Sequence, residues 1–112
     1  YIQKILIPVK DKLVPVTLSD VSFFYTTESN TTVHLRDGKV YPYAKTLDSV
    51  MQLLNPDMFF RANKQFIIAR ESVTNITVWF DSRLLVSLDA QMPERLYVSK
   101  NRASDFKKWM VG

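Results

Sequence analysis

Helical spacing occurs in only two short stretches of this chain; nearly everywhere else apolar residues recur at every second position or in compact runs bounded by turn residues, the rhythm of β-strands. Tyr1 to Val9 alternates, and Leu13 to Leu18 resumes after Lys10-Asp11-Lys12, which predicts a first hairpin. Val21 to Tyr25 is a compact apolar run, Thr26 to Asn30 a polar break, and Thr31 to Arg36 a strand with Val33 and Leu35 on one face. Asp37-Gly38 is the strongest turn signal, because glycine supplies the positive φ of a tight hairpin, and Val40 to Tyr43 pairs back. Phe66 to Ala69, Val73 to Phe80, Leu84 to Leu88 and Leu96 to Val98 read as further strands, joined by turns at Arg70 to Ser72 and Asp81 to Arg83.

The two helical stretches are Leu47, Val50, Met51 and Leu54, capped by Thr46 and stopped by Asn55-Pro56, and Ala103, Phe106, Trp109 and Met110, capped by Ser99. A helix-turn-helix needs two successive helices joined by a short turn, and residues 55–98 separate these. The expected fold is therefore mainly β: short antiparallel sheets, two short helices and no helix-turn-helix. Any grip on a large ligand must come from loops and helix starts on a β scaffold.

At 112 residues and 46% hydrophobic content the chain supports one domain with one core. It has no cysteine and one histidine, too few for a disulfide framework, a thiolate metal site or most zinc and triad chemistry. Two glycines leave no phosphate-cradling loop, and no paired-carboxylate or Ser/His/Asp signature stands out, so neither an enzyme, a cofactor nor a metal is expected. His34, opposite Val33 and Leu35, reads as a surface or satisfied residue rather than a ligand. No apolar run is long enough for a membrane span and no signal peptide is evident, so a cytoplasmic domain with no membrane partner is expected. The opening on Tyr1 rather than Met suggests a piece of a longer protein.

Fifteen Lys and Arg against eleven Asp and Glu give a net charge of +4, which favours a polyanionic partner. From Arg61 to Arg70 there are three basic residues and no acidic one; from Arg95 to Lys108 there are five against Asp105 alone. If the fold brings these segments to one edge, their fields add. The first contains Phe59-Phe60-Arg61-Ala62-Asn63-Lys64-Gln65-Phe66-Ile67-Ile68, a polar insert between runs that want burial. Arg61, Asn63, Lys64 and Gln65 are the side-chain types that pair with guanine, adenine and phosphate, although a solvated turn between helix and strand has the same composition. Arg61 could equally brace that loop through backbone carbonyls or Asp57, and Asn63 could be a left-handed turn residue. Phe23-Phe24, Phe59-Phe60, Trp79 and Trp109 read as packing rather than as base-stacking platforms.

Four blocks in order carry a family resemblance. Asp20-Val21-Ser22-Phe23-Phe24-Tyr25, then Val33 to Lys39 with Lys45-Thr46-Leu47-Asp48, then Phe59 to Ile68, then Val98-Ser99-Lys100-Asn101-Arg102 resemble the LytTR DNA-binding domain from about Leu13 to Trp109. The resemblance implies a domain at 13–112, with 1–12 as a linker or leading strand. It implies sequence-specific double-stranded DNA binding by loops in the major groove, as the output domain of a transcriptional response regulator behind an N-terminal receiver domain. Carried over residue by residue, the contacts fall at Asn30 in the Thr27 to Thr31 loop, at Asn63-Lys64-Gln65, and at Lys100-Asn101-Arg102; Arg61 joins these candidates on its residue type. Lys100 stands where the family often has Arg, and Ala69 where it commonly has Asn. One small domain covers about one turn of duplex, so two copies, with a homodimer on DNA as one arrangement, are expected on repeated half-sites roughly 21 base pairs apart. The rival readings are a single-strand nucleic-acid module and a protein-interaction module, neither of them enzymatic.

Overall fold

Phe23 and Phe24 are neighbours in sequence and both fully buried, which a strand allows only where both faces of its sheet are covered. The computed structural model describes residues 1–28 and 30–112, and its central sheet has that double cover. Five antiparallel strands make this sheet in the order β5 (Val40–Pro42), β4 (Asn30–Leu35), β3 (Val21–Thr27), β7 (Phe66–Ala69) and β6 (Phe59–Arg61). The hairpin of β1 (Lys4–Val9) and β2 (Lys12–Thr17) covers one face together with helix α1 (Leu47–Met51). On the other face lie the three-stranded sheet β10 (Leu96–Val98), β9 (Leu84–Leu88), β8 (Val73–Val78) and helix α2 (Lys100–Val111). The layers give a body of 47 × 26 × 24 Å.

Period-2 alternation sorts the apolar residues between the layers. Phe24, Phe59 and Ile67 join Ile5, Ile7, Leu47 and Val50 in one core, while Phe23, Phe66 and Ile68 join Leu84, Val86, Leu96 and Phe106 in the other. Val21 belongs with Phe24 although the two are three positions apart, and the register shift between Val21 and Phe23 reconciles them. The shift leaves Ser22 fully buried, its hydroxyl donating to Asp89 Oδ1 at 2.9 Å, while Arg36 Nε donates to Asp89 Oδ2 at 2.7 Å. One carboxylate thus clasps the central sheet to the end of β9.

Most of the expected elements form, and the mainly β class holds. The first hairpin closes at Lys10-Asp11, and Gly38 takes φ +95° between β4 and β5 with Lys39 N donating to Asp37 Oδ1 at 3.0 Å. Several bounds differ from expectation. The first helix is shorter: Thr46 caps it, accepting from Ser49 N at 3.1 Å, but after Met51 the chain tightens into bonds from Leu53 N to Val50 O and Leu54 N to Met51 O, which turn Leu54 into the core. β8 stops at Val78, and Asp81 and Ser82 then turn with φ 58° and 60°. Ser99 occupies the N-cap of α2, yet its hydroxyl makes no capping bond. Phe59–Arg61, unassigned in the sequence reading, is a strand, so the polar insert joins two strands rather than a helix and a strand. The helices are separated by β6 to β10, and no helix-turn-helix forms among the described residues.

His34 stacks on Phe23 with ring centres 4.1 Å apart, and its Nε2 lies 2.9 Å from Thr32 Oγ1. Burial lowers its pKa below the ordinary value near 6.5. Between pH 6.5 and the lower folded-state value the unfolded chain therefore binds the extra proton and the folded one does not, so stability falls as pH falls through that window. Denaturant midpoints at pH 7.5 and 5 are expected to show this decline in the native chain and a smaller one in His34→Gln. Equal declines in both would assign it to other groups.

Candidate nucleic-acid interface

The polar insert is framed by its own side chains. Asn63 Oδ1 accepts from Gln65 N at 2.8 Å and from Phe66 N at 3.1 Å, an Asx turn that reverses the chain from β6 into β7 with Asn63 outside the left-handed region. Its Nδ2 donates to the Tyr97 carbonyl at 3.0 Å and so ties the loop to β10. The Arg61 guanidinium donates to the carbonyls of Asn63 at 2.8 Å and Lys64 at 3.0 Å, and pairs with Asp48 at 2.5 Å. Arg61 braces the loop as one of its two readings held, with Asp48 rather than Asp57 as the carboxylate. Ala62 is buried beneath, whereas Lys64 and Gln65 stand exposed at the tip.

Two further segments reach this end of the central sheet. Tyr25 pairs with Phe66, and Thr26 N donates to the Gln65 carbonyl at 2.9 Å, so the β3–β4 hairpin projects past the loop. Asn30, exposed, pairs with Thr27 at its base, and Glu28 takes φ 50°; Ser29, within the expected Thr27 to Thr31 loop, lies outside the described residues. On the other side β10 runs into α2. Lys100 and Asn101 are exposed in its first turn, and Arg102 lays its guanidinium 4.7 Å from the centre of the Phe60 ring. Asn63, Lys64, Ser99 and Arg102 line one shallow cleft with Arg83 and Tyr97.

The two acid-poor segments, far apart in sequence, thus meet at one edge. Lys64, Arg83 and Arg102 line the cleft as cations, Gln65 stands exposed at the loop tip and Lys100 and Asn101 in the first turn of α2, and the one carboxylate among the described lining residues, Asp48, is occupied by Arg61. The N-terminus of α2 adds unpaired backbone N–H groups, which favour an anion. Arg83 and Tyr97 were not singled out in the sequence; only the outward position of Tyr97 between buried Leu96 and Val98 hinted at exposure. Ala69 is buried in the first core, and nearby the fully buried Ser72 hydroxyl has no partner among the described residues. No group of metal-ligating residues forms among them either, and no described helix is long and apolar enough to cross a membrane.

Comparison with known proteins gives concordant matches. The sequence family described as the LytTr DNA-binding domain matches residues 11–111. The sensory transduction protein LytT of Enterococcus faecalis is 26% identical over 99 residues, a stretch covering 88% of this chain and 40% of LytT. The chain therefore spans about two fifths of that relative's length. A LytTr DNA-binding domain from Bacillus cereus, in a protein assigned as a methyl-accepting/DNA response regulator, superimposes with a TM-score of 0.81 at 25% identity and 98% coverage of both chains.

Proposed function

Because this chain belongs to the LytTr DNA-binding domain family, we propose that it binds double-stranded DNA sequence-specifically, with its loops in the major groove, as the output domain of a bacterial transcriptional response regulator. The observation that carries this reading is the braced loop: Arg61 and Asn63 use their polar atoms on the scaffold, which leaves Lys64 and Gln65 presented on a rigid mount beside Arg102 and the Ser99 start of α2. Lys64 and Lys100 face bases or phosphates, Gln65 reads an adenine edge, and Asn101 with the α2 N-terminus holds a phosphate. Asn30 touches the flanking turn from the β3–β4 hairpin. Arg102, stacked on Phe60, contributes charge from a fixed position.

We read 13–112 as the DNA-binding unit and 1–12 as its leading strand, which pairs with β2 and adds Ile5 and Ile7 to the first core. A receiver domain precedes it in the full protein, which acts in the cytoplasm. Two copies occupy repeated half-sites about two helical turns apart, so that both approach the same face of the duplex. The activity is binding rather than catalysis.

Selection of sites from random duplexes tests the specificity and reads the repeat spacing directly. On the selected duplex, Lys64→Ala and Lys100→Ala are expected to weaken binding by about 1–3 kcal/mol each at a base contact, with the loss confined to one base position, or uniformly across sequences at a phosphate. Neither should shift the melting temperature, since both side chains are exposed. Unchanged affinity in both variants removes these residues from the interface. Failure to enrich any duplex motif, or tighter binding to single strands, would overturn the reading itself.

A further inference from the structure

Beyond the loop edge, the outward face of the three-stranded sheet carries a second set of cations. Arg83 holds its guanidinium carbon 4.5 Å from the centre of the Tyr97 ring. Arg95 lies 5.7 Å from the centre of a Trp79 ring and donates from Nη1 to the Tyr97 hydroxyl at 3.4 Å, and the Trp79 and Tyr97 rings are 6.5 Å apart. The four side chains form one interleaved ridge. Neither guanidinium has a carboxylate within 4.0 Å among the described residues; Glu94, next to Arg95, is instead hydrogen-bonded by the Tyr25 hydroxyl. Arg83 Nε donates to the Phe80 carbonyl at 3.4 Å. Such neutral partners and aromatic stacking restrain a guanidinium without neutralising it, and each fork keeps further N–H donors for an anion.

The ridge is continuous with the edge already described, since Arg83 and Tyr97 line the same cleft as Lys64 and Arg102. The ridge lies on a sheet broader than the helix or two-stranded ribbon that a major groove about 12 Å wide admits, and its two charged groups are guanidiniums, a combination that favours phosphates over base edges. We propose that Arg83 and Arg95 are phosphate-binding residues that extend the DNA footprint from the loop edge onto the three-stranded sheet, flanking the segment met by Lys64 and Lys100. The inference rests on the DNA-binding reading above and adds a footprint to it.

The test is the salt dependence of binding to a mixed-sequence duplex of about 30 base pairs, followed by fluorescence anisotropy between about 50 and 200 mM NaCl. Arg83→Gln with Arg95→Gln should reduce the magnitude of the log K against log salt slope by about 2, close to one per lost phosphate contact, and weaken binding roughly tenfold. Arg83→Lys with Arg95→Lys should restore the slope, because a point charge suffices for phosphate; a role confined to packing Tyr97 would not be rescued. Ser87→Glu, exposed on the outward side of β9, adds a negative charge beside the ridge without touching the stacked pairs and should weaken duplex binding even if the glutamine variant folds poorly. Duplex addition should also change the Trp79 emission, a change absent in Trp79→Phe.

An unaltered slope in the folded glutamine variant, or unaltered binding by Ser87→Glu, overturns the ridge. If Lys64→Ala weakens binding at the same time, the DNA-binding reading stands without it. If the unmodified domain binds no duplex, both fall together.

Discussion

Phe106→Ala is expected to destabilise the domain by about 3–5 kcal/mol, the cost of removing a fully buried aromatic ring and leaving a cavity that cannot collapse. Phe106 sits where α2 meets the second core, with its ring centre 5.6 Å from that of Phe60 and 5.9 Å from that of Trp109. Phe60 and Arg70 also hold α2, the Phe60 ring centre lying 5.1 Å from that of Trp109 and Arg70 Nη1 donating to the Trp109 carbonyl at 3.4 Å. Ala103 is small, Trp109 and Met110 are only half buried, and Trp109 Nε1 donates to the Pro56 carbonyl at 2.8 Å. Against a typical total of about 5–15 kcal/mol such a loss is large, and it falls on the element that carries Lys100, Asn101 and Arg102. Denaturant titration checks it, with the exposed Lys107→Ala expected within about 0.5 kcal/mol of the unmodified chain. A cost below about 1 kcal/mol for Phe106→Ala would mean that α2 is peripheral to the core rather than part of it.

Asn63→Ala is expected to cost about 1.5–3 kcal/mol and to weaken duplex binding beyond that, even where the domain remains folded. The side chain makes three hydrogen bonds, and its loss leaves the amides of Gln65 and Phe66 and the carbonyl of Tyr97 to find water in a half-buried setting. Lys64 would then be carried on a loop no longer fixed to β10. Asn63→Asp keeps the acceptor for the two amides but loses the donor to Tyr97, so it should fall between the two. Hydrogen exchange at the Gln65 and Phe66 amides reads the loop directly; unchanged protection in Asn63→Ala would show that the backbone of β6 and β7 holds the turn without it.

Both expectations concern residues whose importance was only half legible in the sequence. Phe106 was placed in a buried stripe by helical spacing alone, but spacing cannot say which face of which sheet receives it. Asn63 was open to two readings, a turn former or a contact, because an isolated amide next to Lys64 and Gln65 suits either. Its side chain makes three hydrogen bonds that shape the turn, and one of the partners, Tyr97, lies 34 positions away. Arg61 was ambiguous for the same reason: its bracing carbonyls are near in sequence, but its carboxylate, Asp48, comes from α1. The strand at Phe59–Arg61 was missed because its alternation is cut short by the polar insert, and it exists through pairing with β7.

Local physics was therefore enough for much of this protein. Strand period, the positive φ at Gly38 and the Thr46 cap all act over a few residues, so the sequence by itself determined a mainly β domain, its hairpins and the segments rich in cations. It also marked Phe23 and Phe24 as packing residues, without saying that they face opposite ways. Only the tertiary structure decided that two cores, not one, receive them, that the register shift at Ser22 meets Asp89, and that Arg83 joins Lys64 and Arg102 in one cleft. The reason is that packing partners and electrostatic edges are set by long-range closure of sheets, and the chemistry of a single residue carries no record of which distant strand will lie beside it.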